Sequence, residues 1–237
     1  MNIELPPNFF HFLTPLLLIT TYLSAFKDGK VTCNRFLMNN FLYLLTSFSI
    51  YFSTIKYVDD KNIELETKHR FVMFFLVIIL IVVFSFVENV ALRHILWILI
   101  IIILALSSKL LYEKYDKELI ESSLKKMMII IVVCCLIALK YPNLISPSIL
   151  TILIFGLLFV ILFRIIDTVF LEKEYNDMIS YVAIFIFSGF IIFDTNRVMD
   201  AAKQCTVSGG NPDYLENMSN MFINILNLFQ NIAEISD

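Results

Sequence analysis

Long apolar stretches separated by short polar connections divide the chain into eight segments. Within each stretch the apolar residues are continuous rather than alternating, which indicates helices and not the strands of a barrel. The pattern therefore predicts one compact helical bundle. The segments cover residues 9–26, 36–54, 71–87, 95–108, 127–139 and 144–163, a seventh stretch that contains Asp194, and residues 218–233.

The composition places this bundle in a membrane. Of the residues, 59% are hydrophobic and only 16% are charged, and the mean hydropathy is +0.80. A soluble domain is nearer half apolar and a quarter charged. We therefore predict an integral, multi-pass, all-α membrane protein whose main surroundings are the lipid bilayer. The composition leaves no room for a large soluble domain and gives no sign of nucleic-acid binding.

The distribution of basic residues suggests an orientation. From residue 27 onward, alternate connections carry 11 and 7 lysines and arginines. The positive-inside rule assigns the more basic set to the cytosol. This assignment places the segment before residue 36 on the opposite side, unless residues 9–26 also cross the membrane.

Motifs for metal binding, redox chemistry or catalysis do not occur in the sequence. The four cysteines have no zinc or redox spacing, and the favoured interpretation is unpaired thiols in lipid or in a reducing compartment. There is no Gly-x-Ser-x-Gly elbow, His-Glu-x-x-His motif or phosphate loop. We therefore expect neither an enzyme nor a resident metal or other cofactor.

Asp194 is the most unusual polar position. It follows ten uncharged residues, 184–193, and an ionised carboxylate in hydrocarbon costs several kcal/mol. One interpretation is structural: Arg197, one helical turn further on, pairs with Asp194 near a helix end. The other is functional: Asp194 is a buried acid that lines a polar cavity, with Arg197 as a latch.

The last segment carries a regular row of amides. The gaps between successive asparagines are 3, 4, 3 and 4 residues, which aligns them on one face of a helix. Such a face points to partner helices or to water rather than to lipid. The amides either hold helices together by hydrogen bonds or form the wall of a hydrophilic path, and the two roles can coexist. The row consists of Asn217, Asn220, Asn224, Asn227 and Asn231.

Two further regions are weaker candidates. Arg164 and Asp167 are three residues apart near a predicted membrane boundary, and the favoured interpretation is a structural ion pair between them. Residues 113–126 are rich in charge and are predicted to form a solvated connector.

Three stretches in the C-terminal third carry a resemblance to a known family: "FSGFIIFDTNRVM" (187–199), "PDY" (212–214) and "SNMFINILNLF" (219–229). They resemble the Bax inhibitor transmembrane family, which includes the lifeguard and Golgi anti-apoptotic proteins. In that family an Asp-Thr pair near the end of the sixth span precedes a final helix that reads roughly Asn-Leu-Tyr-x-Asp-x-x-Asn-x-Phe. The similarity reaches from about residue 35 to residue 232.

The resemblance implies a seven-helix domain at residues 35–237, preceded at residues 1–34 by an extra apolar segment that forms either an additional span or an interfacial helix. It also implies a protein of the endoplasmic reticulum or Golgi that leaks calcium in a pH-dependent manner and opposes apoptosis, with Ca²⁺ as the permeant ion. A non-conducting adaptor that promotes survival through other apoptosis-regulating membrane proteins is the alternative. A proton-coupled transporter is a third class, but no substrate-binding motif supports it.

One position departs from the family pattern. The family places a pair of aspartates on its last two helices; Asp194 matches the first, and Asn224 stands where the second is expected. Two close carboxylates repel each other, so one of them holds a proton. The amide of Asn224 removes that repulsion and is able to donate a hydrogen bond to Asp194. We therefore expect a pH response that is shifted to more acidic values or lost.

Overall fold

The computed structural model is almost entirely helical. It describes residues 9–27, 30–61, 63, 67–142, 144–171, 173–208 and 212–237. The described part contains eight helices and one short hairpin, which confirms the predicted all-α membrane bundle. The helices are α1 (Phe9–Ala25), α2 (Phe36–Asp60), α3 (Thr67–Phe86), α4 (Val90–Lys114), α5 (Lys117–Lys140), α6 (Pro147–Phe170), α7 (Asn176–Ser208) and α8 (Tyr214–Glu234).

Four of these helices contain stretches that are long and apolar enough to cross a bilayer. They are Val90–Ser108 in α4, Glu118–Lys140 in α5, Pro147–Phe170 in α6 and Asn176–Cys205 in α7. The apolar parts of α1 and α3, Phe12–Ala25 and Phe75–Phe86, are shorter. Many large apolar side chains of these helices are exposed on the surface, which is expected where a helix contacts lipid.

The starts of α5 and α6 follow ordinary capping chemistry. Ser146 caps α6 with Pro147 in its first turn, as the sequence predicts. The connector prediction for residues 113–126 is wrong, because α5 already begins at Lys117. Its N-terminus is set by Asp116, whose side chain accepts a hydrogen bond of 2.7 Å from the backbone N–H of Leu119.

The chain forms two compact units. The first comprises Met1–Leu110 and Gln204–Ser219, and the second Leu111–Lys203 and Asn220–Asp237. In the first unit, α1 packs on α2 through hydroxyl groups. Thr14 Oγ1 lies 2.7 Å from Ser49 Oγ, and Thr21 Oγ1 lies 2.9 Å from Thr46 Oγ1. Small hydroxyl side chains allow helices to approach closely in a membrane.

A hairpin and a disulfide complete the first unit. Strands β1 (Phe26–Lys27) and β2 (Lys30–Val31) pair antiparallel between α1 and α2. Cys33 and Cys205 form a disulfide that joins the chain before α2 to the end of α7. The prediction of unpaired thiols is therefore wrong for these two residues, which are 172 positions apart and brought together by the tertiary fold. Cys134 and Cys135 are free.

In the second unit, α6 and α7 approach closely at two glycines. A Cβ atom added at Gly189 would lie 2.8 Å from Leu153 Cδ1, and one added at Gly156 would lie 3.1 Å from Ile186 Cδ1. The absence of these two side chains lets the helices meet, and this close packing holds α7 and its polar residues against α6.

Candidate functional site

Asp194 and Asn224 meet in the second unit. Asp194 is buried in α7 with 5% of its surface exposed. Asn224, on α8, donates a hydrogen bond of 2.7 Å from its Nδ2 to Asp194 Oδ2. A buried carboxylate requires such a donor, because an unpaired one loses its solvation without compensation. The structure thus brings together the acid and the amide that the sequence analysis singles out.

The pattern of α8 explains why Asn224 faces the protein. Phe222, Leu228 and Ile232 are almost completely buried and anchor the helix by its apolar side chains. With these positions inside, the turn of the helix directs Asn224 towards α7 at the level of Asp194. An apolar residue at position 224 would leave the carboxylate without this donor.

Two further polar residues of α7 lie within three positions of Asp194. The guanidinium of Arg197, one turn further on, is near enough for its charge to act on the Asp194 carboxylate. Asn196 is also buried, and within the described residues neither polar atom of its side chain has a hydrogen-bond partner. Buried amides in this condition are normally satisfied by water.

The remaining asparagines occupy different environments along α8. Asn217 is buried, Asn220 is exposed and Asn227 is half-buried. Asn227 donates to the backbone carbonyl of Ile223, and Asn231 donates to that of Asn227. Each of these two side chains therefore donates an N–H to the backbone of its own helix. Its amide oxygen is left to accept hydrogen bonds on the face of the helix.

A second polar cluster surrounds Arg164 on α6. Its Nη2 donates to Ser180 Oγ at 2.8 Å and to Asn231 Oδ1 at 2.9 Å, and lies 3.3 Å from Glu234 Oε2. Ser180 in turn donates to Glu234 Oε2 at 3.2 Å. The cluster ties α6, α7 and α8 together about 10 Å along α8 from Asn224, at 1.5 Å per residue.

The predicted ion pair between Arg164 and Asp167 is wrong. Arg164 pairs with Glu234, while Asp167, only 1% exposed, accepts a 3.0 Å hydrogen bond from the backbone N–H of Tyr175. The backbone carbonyl of Asp167 also accepts from Lys173, which has a positive φ of 69°. Asp167 therefore stabilises the connection between α6 and α7. Arg164 instead binds residues of α8.

Sequence reasoning missed Ser180, Asn196 and Glu234. A signal exists for two of them. Glu234 follows Asn231 at a gap of three and continues the 3–4 period of the row, and Ser180 precedes Asp194 by fourteen residues, close to four full turns. Asn196 points away from Asp194 on the same helix, and no periodic pattern marks it.

Oxygen acceptors dominate the pair. Asn224 occupies only Oδ2 of Asp194; the other carboxylate oxygen and the amide oxygen of Asn224 accept no hydrogen bond from any residue that the structure describes. Among those residues there is also no group of three or more His, Cys, Asp or Glu side chains able to hold a metal ion. The arrangement offers a few oxygens from two helices to a passing cation or to water.

A known protein family matches most of this chain, and an individual relative matches about a third of it. A family model described as Bax1-I, inhibitor of apoptosis-promoting Bax1, matches residues 33–236. An uncharacterised membrane protein of Vibrio cholerae serotype O1 is 35% identical over 80 residues, which are 34% of this chain and 32% of that protein. The match thus spans about a third of the relative's length. No solved structure matches the chain.

Proposed function

Because the chain belongs to the Bax inhibitor family of membrane proteins, we propose that it forms a pH-modulated leak for Ca²⁺ that passes the buried pair of Asp194 and Asn224. The observation that carries the proposal is the 2.7 Å hydrogen bond that holds a carboxylate inside a helical bundle while leaving one of its oxygens available. In a membrane protein a buried acid of this kind is a functional candidate by default.

The chemistry of the pair suits a transient cation. Calcium takes carboxylate and amide oxygens as ligands, and tight sites provide six to eight of them. Asp194 Oδ1 and Asn224 Oδ1 supply two, so water would complete the coordination and the ion would bind weakly. Weak binding is what conduction requires, because an ion held by a closed cage would not leave.

The polar face of α8 continues the proposed ion path beyond the pair of Asp194 and Asn224. Asn227 and Asn231 continue the face beyond Asn224 with amide oxygens, and the cluster of Arg164 and Glu234 lies at its end. We propose that the amides act as the wall of the path and that the charged cluster restricts its end. Arg197 acts as a latch, since its charge competes with Ca²⁺ for Asp194.

The cellular role follows from the leak. A calcium leak in the endoplasmic reticulum or Golgi lowers the stored calcium that promotes cell death, and we propose that the protein opposes apoptosis in this way. The description of the matching family, inhibitor of apoptosis-promoting Bax1, supports the same role. A non-conducting adaptor that binds apoptosis-regulating membrane proteins is the competing function.

Calcium flux into dye-loaded vesicles tests the proposal. The purified full chain should give flux that falls by about tenfold in Asp194→Asn, because the variant offers the ion no negative charge. Asp200→Asn is the matched control: it removes an exposed acid of the same helix that pairs with Lys203, and flux should be unchanged. Absence of flux from the wild-type protein at every pH would favour the adaptor.

A further inference from the structure

A polar cavity lies in the first unit, apart from the acid–amide pair. Its volume is about 440 Å³, and it is formed by β2, the turn before α4, the first residues of α4 and the start of α8. Four charged side chains line it: Lys30, Glu88, Arg93 and Asp213. All of them lie at the ends of elements, where a helical membrane protein meets the level of the lipid headgroups.

Two of these charges neutralise each other and two remain available. Arg93 Nη1 donates to Asp213 Oδ2 at 2.6 Å, and the second oxygen of Asp213 caps α8 by accepting from the backbone N–H of Glu216 at 3.0 Å. Arg93 Nε is buried without an acceptor in the described part of the chain. Lys30 and Glu88 have no ion-pair partner among the described residues. The cavity therefore presents one unpaired charge of each sign, the ammonium group of Lys30 and the carboxylate of Glu88.

A larger and mostly apolar cavity adjoins the polar one. Its volume is about 730 Å³, and it lies between α1, α2 and α4. The two cavities share Tyr43, Val90 and His94 as lining residues. Tyr43 Oη lies 2.8 Å from His94 Nε2, so a hydrogen-bonded pair marks the boundary between the polar and the apolar space.

The apolar cavity extends along the first turns of α4. It follows α4 from Val90, where the helix starts, to Ile98. From the first to the last of these nine residues the helix advances about 12 Å along its axis. The stretch belongs to Val90–Ser108, which is one of the helices apolar enough to cross a membrane. The polar space thus lies at the end of the span and the apolar space along it.

We infer that the two cavities together bind one phospholipid with a zwitterionic headgroup. Lys30 holds the phosphate, Glu88 holds the ammonium group, and one acyl chain fills the apolar cavity beside Ile98. Charge complementarity selects this ligand, because an anionic headgroup would leave Glu88 without a partner. The continuous apolar space favours a lipid over free phosphate, which has nothing to place there.

Native mass spectrometry of the purified full chain tests the site. The probes are dioleoylphosphatidylethanolamine, dioleoylphosphatidylglycerol (an anionic headgroup), diolein (chains alone) and glycerophosphoethanolamine (headgroup alone). The first should be retained best. Lys30→Glu should lower its retention by about tenfold, as loss of a charge-assisted hydrogen bond predicts. Ala91→Trp, which places a large ring in the exposed lining of the apolar cavity, should do the same.

Controls separate a specific site from lipid that merely surrounds the protein. Lys125→Glu changes a lysine that is 71% exposed in the second unit and should leave retention unchanged. Lys30→Gln repeats the first test without reversing charge, and circular dichroism verifies that each variant is folded. Equal retention in Lys30→Glu, Ala91→Trp and the wild type would overturn the proposal. So would equal binding of glycerophosphoethanolamine, which would indicate a phosphate site without a lipid.

Discussion

At the scale of single residues, the buried carboxylate of Asp194 is stabilised by a neutral hydrogen-bond partner. The amide of Asn224 donates a hydrogen bond to the carboxylate without bringing a second negative charge. It also has the shape of a protonated acid, so the pair resembles two carboxyl groups that share one proton. A position that the family resemblance assigns to an aspartate thus carries a residue that cannot titrate.

Loss of the donor should destabilise the second unit. Asn224→Leu leaves a buried carboxylate unpaired, and we expect about 1–3 kcal/mol lower free energy of unfolding, measured by denaturant titration in detergent. Asn220→Leu is the control, because Asn220 lies one turn away on the same helix and is exposed. A loss of the same size in both variants would mean that the hydrogen bond to Asp194 contributes nothing.

Single residues also show what a sequence can reveal. The period of the amides and the isolated acid marked α7 and α8, and the family resemblance then singled out Asn224 as the partner of Asp194. Arg164 was assigned to the wrong partner because the i, i+3 rule sees only neighbours on one helix. Its actual partner, Glu234, lies on α8 at a sequence distance of 70, and only the tertiary fold brings the two together.

At the scale of elements, α8 is attached to its neighbours by polar groups at two levels. Asn224 binds α7, and Asn231 with Glu234 binds α6 through Arg164. Helices in a membrane gain little from apolar burial against one another, since lipid is equally apolar, so hydrogen bonds of this kind fix the orientation of the helix. Rotation of α8 would break both attachments together.

Removal of the arginine should loosen the end of α8. Arg164→Leu leaves Ser180, Asn231 and Glu234 without their common donor, and amide hydrogen exchange in the last two turns of α8 should accelerate. Lys203→Leu breaks an exposed pair worth about 0–1 kcal/mol and is the control. Unchanged protection in Arg164→Leu would show that the cluster does not hold the helix.

At the scale of the whole molecule, continuous hydropathy was sufficient for the class of fold. Each apolar segment corresponds to a helix, yet the limits shifted where capping residues such as Asp116 start a helix outside the apolar stretch. The disulfide could not be predicted, because cysteine spacing carries no information on a pair separated by 172 residues. It joins two connections that both belong to the less basic set.

The disulfide and the charge distribution predict the same orientation. Disulfides persist in oxidising compartments, and the less basic connections are expected opposite the cytosol. Chain entropy predicts that Cys33→Ser lowers stability by about 2–4 kcal/mol. Thermal unfolding should show a lower midpoint, and the faster migration of the oxidised wild type on a non-reducing gel should disappear. Cys134→Ser, at a free buried thiol, is the control; equal midpoints for Cys33→Ser and the wild type would contradict the account.

The most direct test of the role of Asp194 is calcium flux as a function of pH, in vesicles that contain either the wild-type protein or Asn224→Asp. The variant places two carboxylates side by side, so a proton should remain on the pair at pH values where the wild-type site has none. We predict that the pH of half-maximal flux is higher in Asn224→Asp, and that the wild-type midpoint is more acidic or absent. An identical midpoint near neutrality in both proteins would contradict the account.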